Sequence, residues 1–263
     1  MMLSQKQQDR YERHLILNGF GMEAQERLLQ SKALVVGAGG LGSPVMLYLA
    51  ASGVGSIGIV DGDRVSISNL QRQVIHSTSD IGRLKVEVAR ERMVKLNPDV
   101  KVESHDCFLS KDNAEDIICD YDFVVDATDN FKAKYLVNDA CVRLGKPFSM
   151  GGVSRYGGQV MTHVPGTACY RCLFPHAPAP EDVELGAVVG VLSPLVGMLG
   201  TIQATECIKW LAGVGELLTN SLLVIDALSM RHERLSFEPD AGCDICGTRS
   251  GDNKQEDFTF KPF

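Results

Sequence analysis

The stretch that decides the fold is residues 32–42, which read KALVVGAGGLG. Its apolar first half predicts a buried strand from Lys32 to Val36, and Gly37, Gly39 and Gly42 fit the pattern G-x-G-x-x-G. Glycines there allow a tight turn and close backbone approach, and the N-terminus of the following helix attracts phosphate. The stretch therefore predicts a nucleotide-binding turn, and the alternative is a glycine-rich turn that holds no ligand.

Strands and helices alternate on either side of this turn. Apolar patterns predict further strands at 56–60, 100–103 and 121–125, and helices at 5–17, 23–30, 44–52, 83–96 and 132–144. Such alternation is typical of a parallel sheet. After Pro147 the pattern becomes strand-like at 148–164, loop-like at 167–191, helical at 195–211 and hairpin-like at 222–237. The predicted fold class is α/β, a Rossmann-like mostly parallel sheet continued by antiparallel strands.

Polar residues follow the second predicted strand, where open α/β sheets place their ligands. Asp61 ends that strand and is placed to accept a hydrogen bond from a ribose hydroxyl. The loop beyond it contains Asp63 and the run Ser68-Asn69-Leu70-Gln71-Arg72-Gln73, and Lys85 opens the next helix. A guanidinium can clamp phosphate bidentately, and an ammonium adds a point charge. A lone arginine and lysine are more often solvated surface, but their position after the glycine turn favours phosphate binding.

Two carboxylates, Asp126 and Asp129, end another predicted parallel strand. Carboxylate oxygens are suitable ligands for Mg²⁺, which keeps several waters. The alternative is that one of them caps the helix that begins near Asn130. We expect both to hold: one carboxylate is structural and caps the helix, and the other, Asp129, binds the metal.

Four cysteines form two Cys-x-x-Cys pairs far apart in the chain, Cys169 with Cys172 and Cys243 with Cys246. Paired knuckles of this kind suit tetrahedral Zn²⁺ with four sulfur ligands, which leaves no open position for catalysis. We therefore expect a structural zinc knuckle with four cysteine ligands, against the alternative of reduced thiols or a redox dithiol. Cys107, Cys119, Cys141 and Cys207 lie in apolar contexts and are expected to be small buried hydrophobes. The histidines show no ligand spacing.

Length and composition exclude several classes of protein. The chain has 263 residues, 44% hydrophobic and 22% charged, which is ordinary for a globular protein. Its net charge of −7, without a basic block, argues against nucleic-acid binding. Polar residues at 1–14 predict no secretory signal, and the longest apolar stretch, 187–202, is short for a membrane span. Eight cysteines without a leader favour a reducing compartment, so we expect a cytoplasmic protein.

Taken in order, these motifs closely resemble the ThiF/MoeB/HesA family, bacterial relatives of ubiquitin-activating enzymes. The resemblance rests on the glycine turn, Asp61-Gly62-Asp63, the run 68–73, Asp126-Ala127-Thr128-Asp129-Asn130 and Cys169-Tyr170-Arg171-Cys172, and runs from about residue 10 to 247. It implies one adenylation domain over residues 1–249, with a nucleotide-binding half at about 32–147 and a carrier-binding and zinc part at about 148–249. Residues 250–263 are expected to be a flexible tail.

The resemblance also implies a reaction. The family uses ATP to adenylate the C-terminal glycine of a small β-grasp sulfur carrier of the ThiS or MoaD kind, which ends in Gly-Gly. The residues that it implies for ATP and its Mg²⁺ are Gly40, Asp61, Asp63, Ser68, Asn69, Leu70, Gln71, Arg72, Lys85, Asp129 and Asn130. Arg72, Lys85, Asp129 and Arg13 are implied to be catalytic, with Arg13 reaching the partner subunit's ATP in a homodimer.

One departure from the family pattern concerns sulfur transfer. Many members carry a cysteine in the loop before the long apolar helix, and here 179–188 reads APEDVELGAV. We therefore expect sulfur to come from a separate donor, a cysteine desulfurase or a rhodanese. Three alternatives stay open: an NAD-dependent oxidoreductase, a nucleotide-binding adaptor, and adenylation of another carboxylate. The sequence does not indicate the pathway.

Overall fold

A computed structural model describes residues 3–178 and 189–247 of the chain. The predicted tail at 250–263 and the cysteine-free stretch at 179–188 lie outside these residues. The strands are β1 Lys32–Val36, β2 Ser56–Val60, β3 Lys101–His105, β4 Phe123–Asp126, β5 Phe148–Ser154, β6 Gly157–His163, β7 Ser221–Asp226 and β8 Arg231–Ser236. The helices are α1 Gln5–Leu15, α2 Gly21–Gln30, α3 Gly42–Ser52, α4 Lys85–Leu96, α5 Ala114–Ile118, α6 Phe131–Arg143, α7 Tyr170–Leu173 and α8 Ser193–Ala212.

Within the described residues the strands form one sheet in the order β3-β2-β1-β4-β5-β6-β7-β8. Strands β3 to β5 are parallel, and β5 to β8 pair antiparallel. The predicted fold class is therefore confirmed. The chain moves outward from β1 through β2 to β3 and then returns to the other side of β1 as β4, so the strand order reverses beside β1. Crevices at such a switch point bind ligands in open α/β sheets.

The register of the sheet brings three loops together. Val36 at the end of β1 pairs with Val60 at the end of β2 and with Asp126 at the end of β4. The segments that leave these strands therefore start side by side at one edge of the sheet. They are the glycine turn, the loop after Asp61 and the segment 127–130, which the sequence singled out separately.

Both faces of the sheet are covered, which explains the unbroken apolar run in β1. Ala33 and Val35 pack into a core with α2, α3, α4 and α8, whereas Leu34 and Val36 face a second core with α5, α6 and α7. Strands buried on both faces are apolar throughout because alternate side chains enter opposite cores. No helix in the described part of the chain is both long and apolar enough to cross a membrane.

Several boundaries differ from the sequence predictions for local reasons. Helix α3 begins at Gly42 rather than Pro44, and Ser43 lies inside it, where its hydroxyl donates to the Gly39 carbonyl at 2.7 Å. Gly53 ends the helix in the left-handed conformation. The first cysteine pair lies at the start of the short helix α7, inside the stretch predicted to be a loop. Helix α5 was not predicted, because five residues give too little periodicity to detect.

Candidate nucleotide and metal sites

Packing constrains three of the four glycines in the turn, since a Cβ on Gly40 would lie 2.6 Å from Val196 Cγ1. A Cβ on Gly37 would lie 2.8 Å from the Ala127 carbonyl oxygen, and one on Gly42 would lie 1.9 Å from the Gly37 carbonyl oxygen. Gly37 also has a φ of +101°. A Cβ on Gly39, in contrast, would meet nothing closer than Gln73 Nε2 at 3.6 Å. Gly37 and Gly42 are therefore required by the fold, whereas Gly39 leaves its face of the turn open to a ligand.

The start of α3 offers backbone donors. Its N-cap is Leu41, and no side chain makes a capping hydrogen bond there. The first N–H groups of a helix have no partner within the helix, and together with the helix dipole they attract anions. The turn and the helix start therefore form a cradle that suits phosphate.

Asp61 holds the turn from the adjacent strand. It is buried, with 8% of its surface exposed. Its Oδ2 accepts from the Ala38 N–H and its Oδ1 accepts from the Asp63 N–H, each at 2.8 Å. Each carboxylate oxygen has a second lone pair. Asp61 can therefore orient the turn and still accept a hydrogen bond from a sugar hydroxyl.

A lysine and an arginine face this edge of the sheet from the following segments. Lys85, the first residue of α4, is 5% exposed, and its Nζ donates to Asp63 Oδ2 at 2.8 Å. Arg72 is half-buried; its Nη1 donates to the Ser68 carbonyl at 3.1 Å, and its Cγ lies 3.4 Å from where a Cβ on Gly40 would be. The arginine stem therefore lies against the glycine turn.

The polar run begins in a short 3-10 helix, Ile67–Asn69, whose Ser68 carbonyl accepts from Arg72. Asn69 Oδ1 accepts from the Ser66 N–H at 3.3 Å, and the hydroxyls of Ser66 and Ser68 lie 2.9 Å apart. Leu70 is half-buried and Gln71 is exposed. The fold therefore brings the predicted nucleotide residues of this loop to the same edge of the sheet.

The two carboxylates after β4 have different environments. Asp126 is fully buried and accepts from Thr128 N–H at 2.9 Å, Thr128 Oγ1 at 2.6 Å and Lys134 Nζ at 3.3 Å. Asp129 is exposed and makes no hydrogen bond or ion pair with the residues that the structure describes. Asp126 is therefore the structural carboxylate, and Asp129 is free to bind a hydrated cation.

The prediction that one of these aspartates caps α6 is wrong. Asn130 is the N-cap, and its Oδ1 accepts from the Ala133 N–H at 2.9 Å. Asp126 lies too early to cap and instead forms a buried ion pair with Lys134. Lys134 also donates to the carbonyls of Thr128 and Gly151, at 2.9 and 2.5 Å. This lysine, which the sequence analysis missed, fixes the segment that carries Asp129.

Arg13 lies apart from this site. Tyr11, two residues earlier on α1, is buried against Gly53 and accepts from Asn97 Nδ2 at 2.9 Å. At 3.6 residues per turn, Arg13 projects about 200° around the helix from Tyr11, and it is exposed. Gly53 is at the far end of α3, about 16 Å from the glycine turn at 1.5 Å per residue. Arg13 therefore points away from the site of its own chain.

The four cysteines of the two pairs converge, as predicted. Their sulfur atoms all lie within 4.8 Å of one another. Separations are 3.7 Å for Cys169–Cys243, 3.3 Å for Cys172–Cys246 and 4.0 Å for Cys169–Cys172. Four sulfurs at 2.3 Å from a tetrahedral Zn²⁺ would be about 3.8 Å apart. A hydrogen bond from Cys246 lowers the pKa of Cys169 below its ordinary value, which favours the thiolate form that a metal ligand needs.

The first cysteine pair is anchored to α6. Arg171, between the two cysteines, donates through Nε and Nη2 to both carboxylate oxygens of Asp139, at 2.7 and 2.8 Å. Its guanidinium also lies 4.7 Å from the centre of the Tyr135 ring. A bidentate pair combined with a cation–π contact fixes the arginine in one geometry.

The other cysteines are not ligands. Cys141 and Cys207 are buried, and burial raises the pKa of each thiol, so both stay protonated and unreactive. Cys107 is half-buried. Cys119 differs from the prediction, because it is exposed and its thiol donates to the Asp116 carbonyl at 3.1 Å.

Comparison with known proteins identifies the family. The model of the ThiF family matches residues 11–245. The chain belongs to the ThiF family. This confirms the resemblance of the motifs.

Two relatives are similar over almost the whole chain. The SAMP-activating enzyme E1 of Haloferax volcanii is 45% identical over 256 residues, 97% of this chain and 95% of the relative. The sulfur carrier protein adenylyltransferase of Thermus thermophilus is 43% identical over 264 residues, 98% and 97%. Among solved structures, E. coli MccB with MccA-N7isoASN has a TM-score of 0.82 at 25% identity, covering 93% of this chain and 75% of that chain. The ThiF-family fold therefore extends over nearly the entire sequence.

Proposed function

We propose that this protein uses ATP to adenylate the C-terminal glycine of a small β-grasp sulfur carrier that ends in Gly-Gly. The observation that carries the proposal is the convergence of the glycine turn, Arg72, Lys85 and Asp129 at the carboxyl ends of β1, β2 and β4. The relatives named SAMP-activating enzyme E1 and sulfur carrier protein adenylyltransferase support the same reaction.

The proposed roles follow from the positions of the residues. Asp61 holds the ribose, and the backbone around Gly40 approaches the phosphates. Asn69, Arg72 and Lys85 bind the triphosphate, and Lys85 exchanges Asp63 Oδ2 for a phosphate oxygen. Ser68, Leu70, Gln71 and Asn130 line the same site. Asp129 holds Mg²⁺, which when bound offsets charge on the phosphates.

This set of residues suits attack by a carboxylate on the α-phosphate. A C-terminal carboxylate is already ionised at neutral pH, so its attack needs no general base. It needs alignment and cancellation of the charge that accumulates on phosphate and pyrophosphate. Arg72 and Lys85 supply fixed positive charge beside the phosphates. The proposed reaction therefore needs no nucleophile–base pair.

Zinc and the partners complete the proposal. The cysteine cluster, residues 169, 172, 243 and 246, holds one structural Zn²⁺, and its sulfur separations fit that ion. The part of the chain at about 148–249 binds the carrier beside the nucleotide half at about 32–147. Sulfur arrives from a separate desulfurase or rhodanese-type donor. The protein acts in the cytoplasm.

Pyrophosphate exchange tests this function directly. We expect the purified protein to exchange labelled pyrophosphate into ATP when Mg²⁺ and a Gly-Gly-ending carrier are present. A carrier that lacks its last glycine is the matched control. Exchange supported equally by small carboxylates would point to another substrate, whereas NAD reduction without exchange would point to an oxidoreductase.

We further propose a symmetric homodimer in which Arg13 of each subunit completes the other subunit's site. Arg13 is exposed and projects about 200° around α1 from Tyr11, which packs on Gly53 at the end of α3 far from the glycine turn, so we assign it to the ATP of the partner subunit across an isologous interface. Mixing Arg13→Ala subunits with Arg72→Ala subunits should then restore one intact site in each heterodimer. Random mixing makes half of the dimers heterodimers, so we expect roughly a quarter of wild-type exchange.

Arg10 supplies the matched control for this experiment. It lies one turn before Arg13, and its Nη1 donates to the Leu96 carbonyl of the same chain at 3.1 Å. Arg10→Ala protein should therefore exchange pyrophosphate at the wild-type rate, because the Arg10 side chain is not expected to reach the partner subunit's site. If the Arg13 and Arg72 mixture stays inactive after proven subunit exchange, Arg13 has no role across the interface.

A further inference from the structure

Two ionisable side chains hold the peptide groups of Ala38 in the glycine turn. The Ala38 N–H donates to Asp61 Oδ2 at 2.8 Å, and the Ala38 carbonyl lies 3.1 Å from His76 Nε2. A carbonyl oxygen can only accept, so the proton of the imidazole is on Nε2. The bond to His76 therefore fixes the direction of the Ala38 carbonyl.

The direction of that carbonyl also sets the direction of the next amide. The Ala38 carbonyl and the Gly39 N–H belong to one planar trans peptide, in which the two groups point in opposite directions. The Gly39 N–H makes no hydrogen bond with any residue that the structure describes, and Gly39 is the glycine with open space beside it. With the carbonyl turned towards His76, the Gly39 N–H points away from the histidine and stays available as a donor.

Stability alone does not explain this histidine. His76 is 7% exposed, and its Nδ1 is buried without a hydrogen-bond partner within residues 3–178 and 189–247. A buried acceptor without a partner costs free energy, so an apolar side chain would suit a purely structural role better. Burial also lowers the pKa of His76, which keeps the ring neutral and its Nδ1 an acceptor. Side chains that reduce stability in this way are expected mainly at functional sites.

We propose that His76 is a positioning residue for nucleotide binding, which holds the Ala38 carbonyl so that the Gly39 N–H donates to a phosphate of ATP. The inference rests on the proposed function for the identity of the ligand. His76 touches neither ATP nor the carrier in this account and acts through the peptide between Ala38 and Gly39. Its loss should therefore weaken ATP binding and leave the chemical step in the saturated enzyme unchanged.

Two substitutions separate the hydrogen bond from the volume of the side chain. His76→Leu removes the donor, whereas His76→Gln keeps an N–H near the position of Nε2. We expect His76→Leu to raise the Kd for ATP, measured by calorimetry without carrier, and the KM for ATP in exchange by about tenfold each, with kcat nearly unchanged. His76→Gln should restore both constants to within about threefold of wild type.

His163 offers a matched control outside this site. It is also a buried histidine with a ring nitrogen on a backbone carbonyl, since its Nδ1 lies 3.2 Å from the Ala168 carbonyl. We expect His163→Leu to lower the unfolding temperature and to leave the Kd for ATP unchanged. In wild-type protein, the amide resonance of Gly39 should shift downfield when ATP is added, which tests the donor without any substitution.

Distinct outcomes separate this inference from the proposed function. Any of three results would overturn the role of His76. They are an unchanged Kd for ATP in His76→Leu, an equal loss of ATP affinity in the Leu and Gln variants, and a Gly39 amide resonance that does not shift when ATP is added. Wild-type protein that binds ATP but catalyses no exchange would overturn the adenylation proposal instead. The calorimetric test of His76 would remain valid in that case.

Discussion

Replacing Arg72 by alanine is expected to lower carrier-dependent ATP–pyrophosphate exchange by about two to three orders of magnitude, the usual loss for a preorganised charge contact in a transition state. Arg72 lies against Gly40 with one bond to the Ser68 carbonyl, beside the turn at which the proposed function places the phosphates. Asp129→Ala should give a comparable loss at low Mg²⁺. High Mg²⁺ should recover part of that loss.

A nearby arginine gives the control for this experiment. Arg64 is exposed, and its Nη1 donates to the Gly82 carbonyl at 2.8 Å, away from the glycine turn. Arg64→Ala should therefore exchange pyrophosphate at close to the wild-type rate. Near-wild-type exchange in both Arg72→Ala and Asp129→Ala would rule out the assigned phosphate and magnesium roles.

Removal of the metal should have the second large effect. We expect Cys243→Ser to lose the bound Zn²⁺ and to lower the unfolding midpoint by roughly 10 °C, because binding free energies of structural zinc are about 10–16 kcal/mol and even a third of that would shift a chain of this size so far. The loss of stability should exceed any change in ATP affinity, since the cluster joins the α7 segment to the chain after β8 and is not part of the glycine turn.

Elemental analysis and thermal unfolding measure this prediction together. Wild-type protein purified without chelator should contain about one zinc per chain, as a four-sulfur site requires. Cys119→Ser is the matched control because Cys119 is exposed and outside the cluster, and it should keep both the zinc and the unfolding midpoint. Zinc-free wild-type protein with an unchanged midpoint after chelation would refute the structural zinc.

The sequence predicted those features whose signals are local. Three features could be predicted because each needs particular residue types at a fixed spacing: the glycine turn, the acid after β2 and the cysteine pairs. The register of β1, β2 and β4 brings the turn, Asp61 and the segment 127–130 to one edge, because the carboxyl ends of neighbouring parallel strands lie side by side. The family could be recognised because its motifs are short and occur in a fixed order, and the match of the ThiF family model to residues 11–245 confirms it.

The missed features depend on tertiary contacts. Asn130 rather than an aspartate caps α6, and Asp126 instead pairs with Lys134, a contact that no local pattern indicates. His76 was set aside because a lone histidine has no spacing to interpret, and its partner, the Ala38 carbonyl, is 38 residues away in sequence. The position of Arg13 relative to the site depends on how Tyr11 docks α1, which periodicity does not reveal.

The link between Arg171 and Asp139 makes α6 a strut between two parts of the molecule. The helix begins at Phe131, close to Asp129, and eight residues later, about 12 Å along its axis, Asp139 binds Arg171 in the turn of α7 between Cys169 and Cys172. Two parallel bonds resist both sliding and rotation. The carboxylate proposed for magnesium and the sulfur cluster are therefore held at a fixed spacing, and movement during turnover must come from segments that this strut does not span.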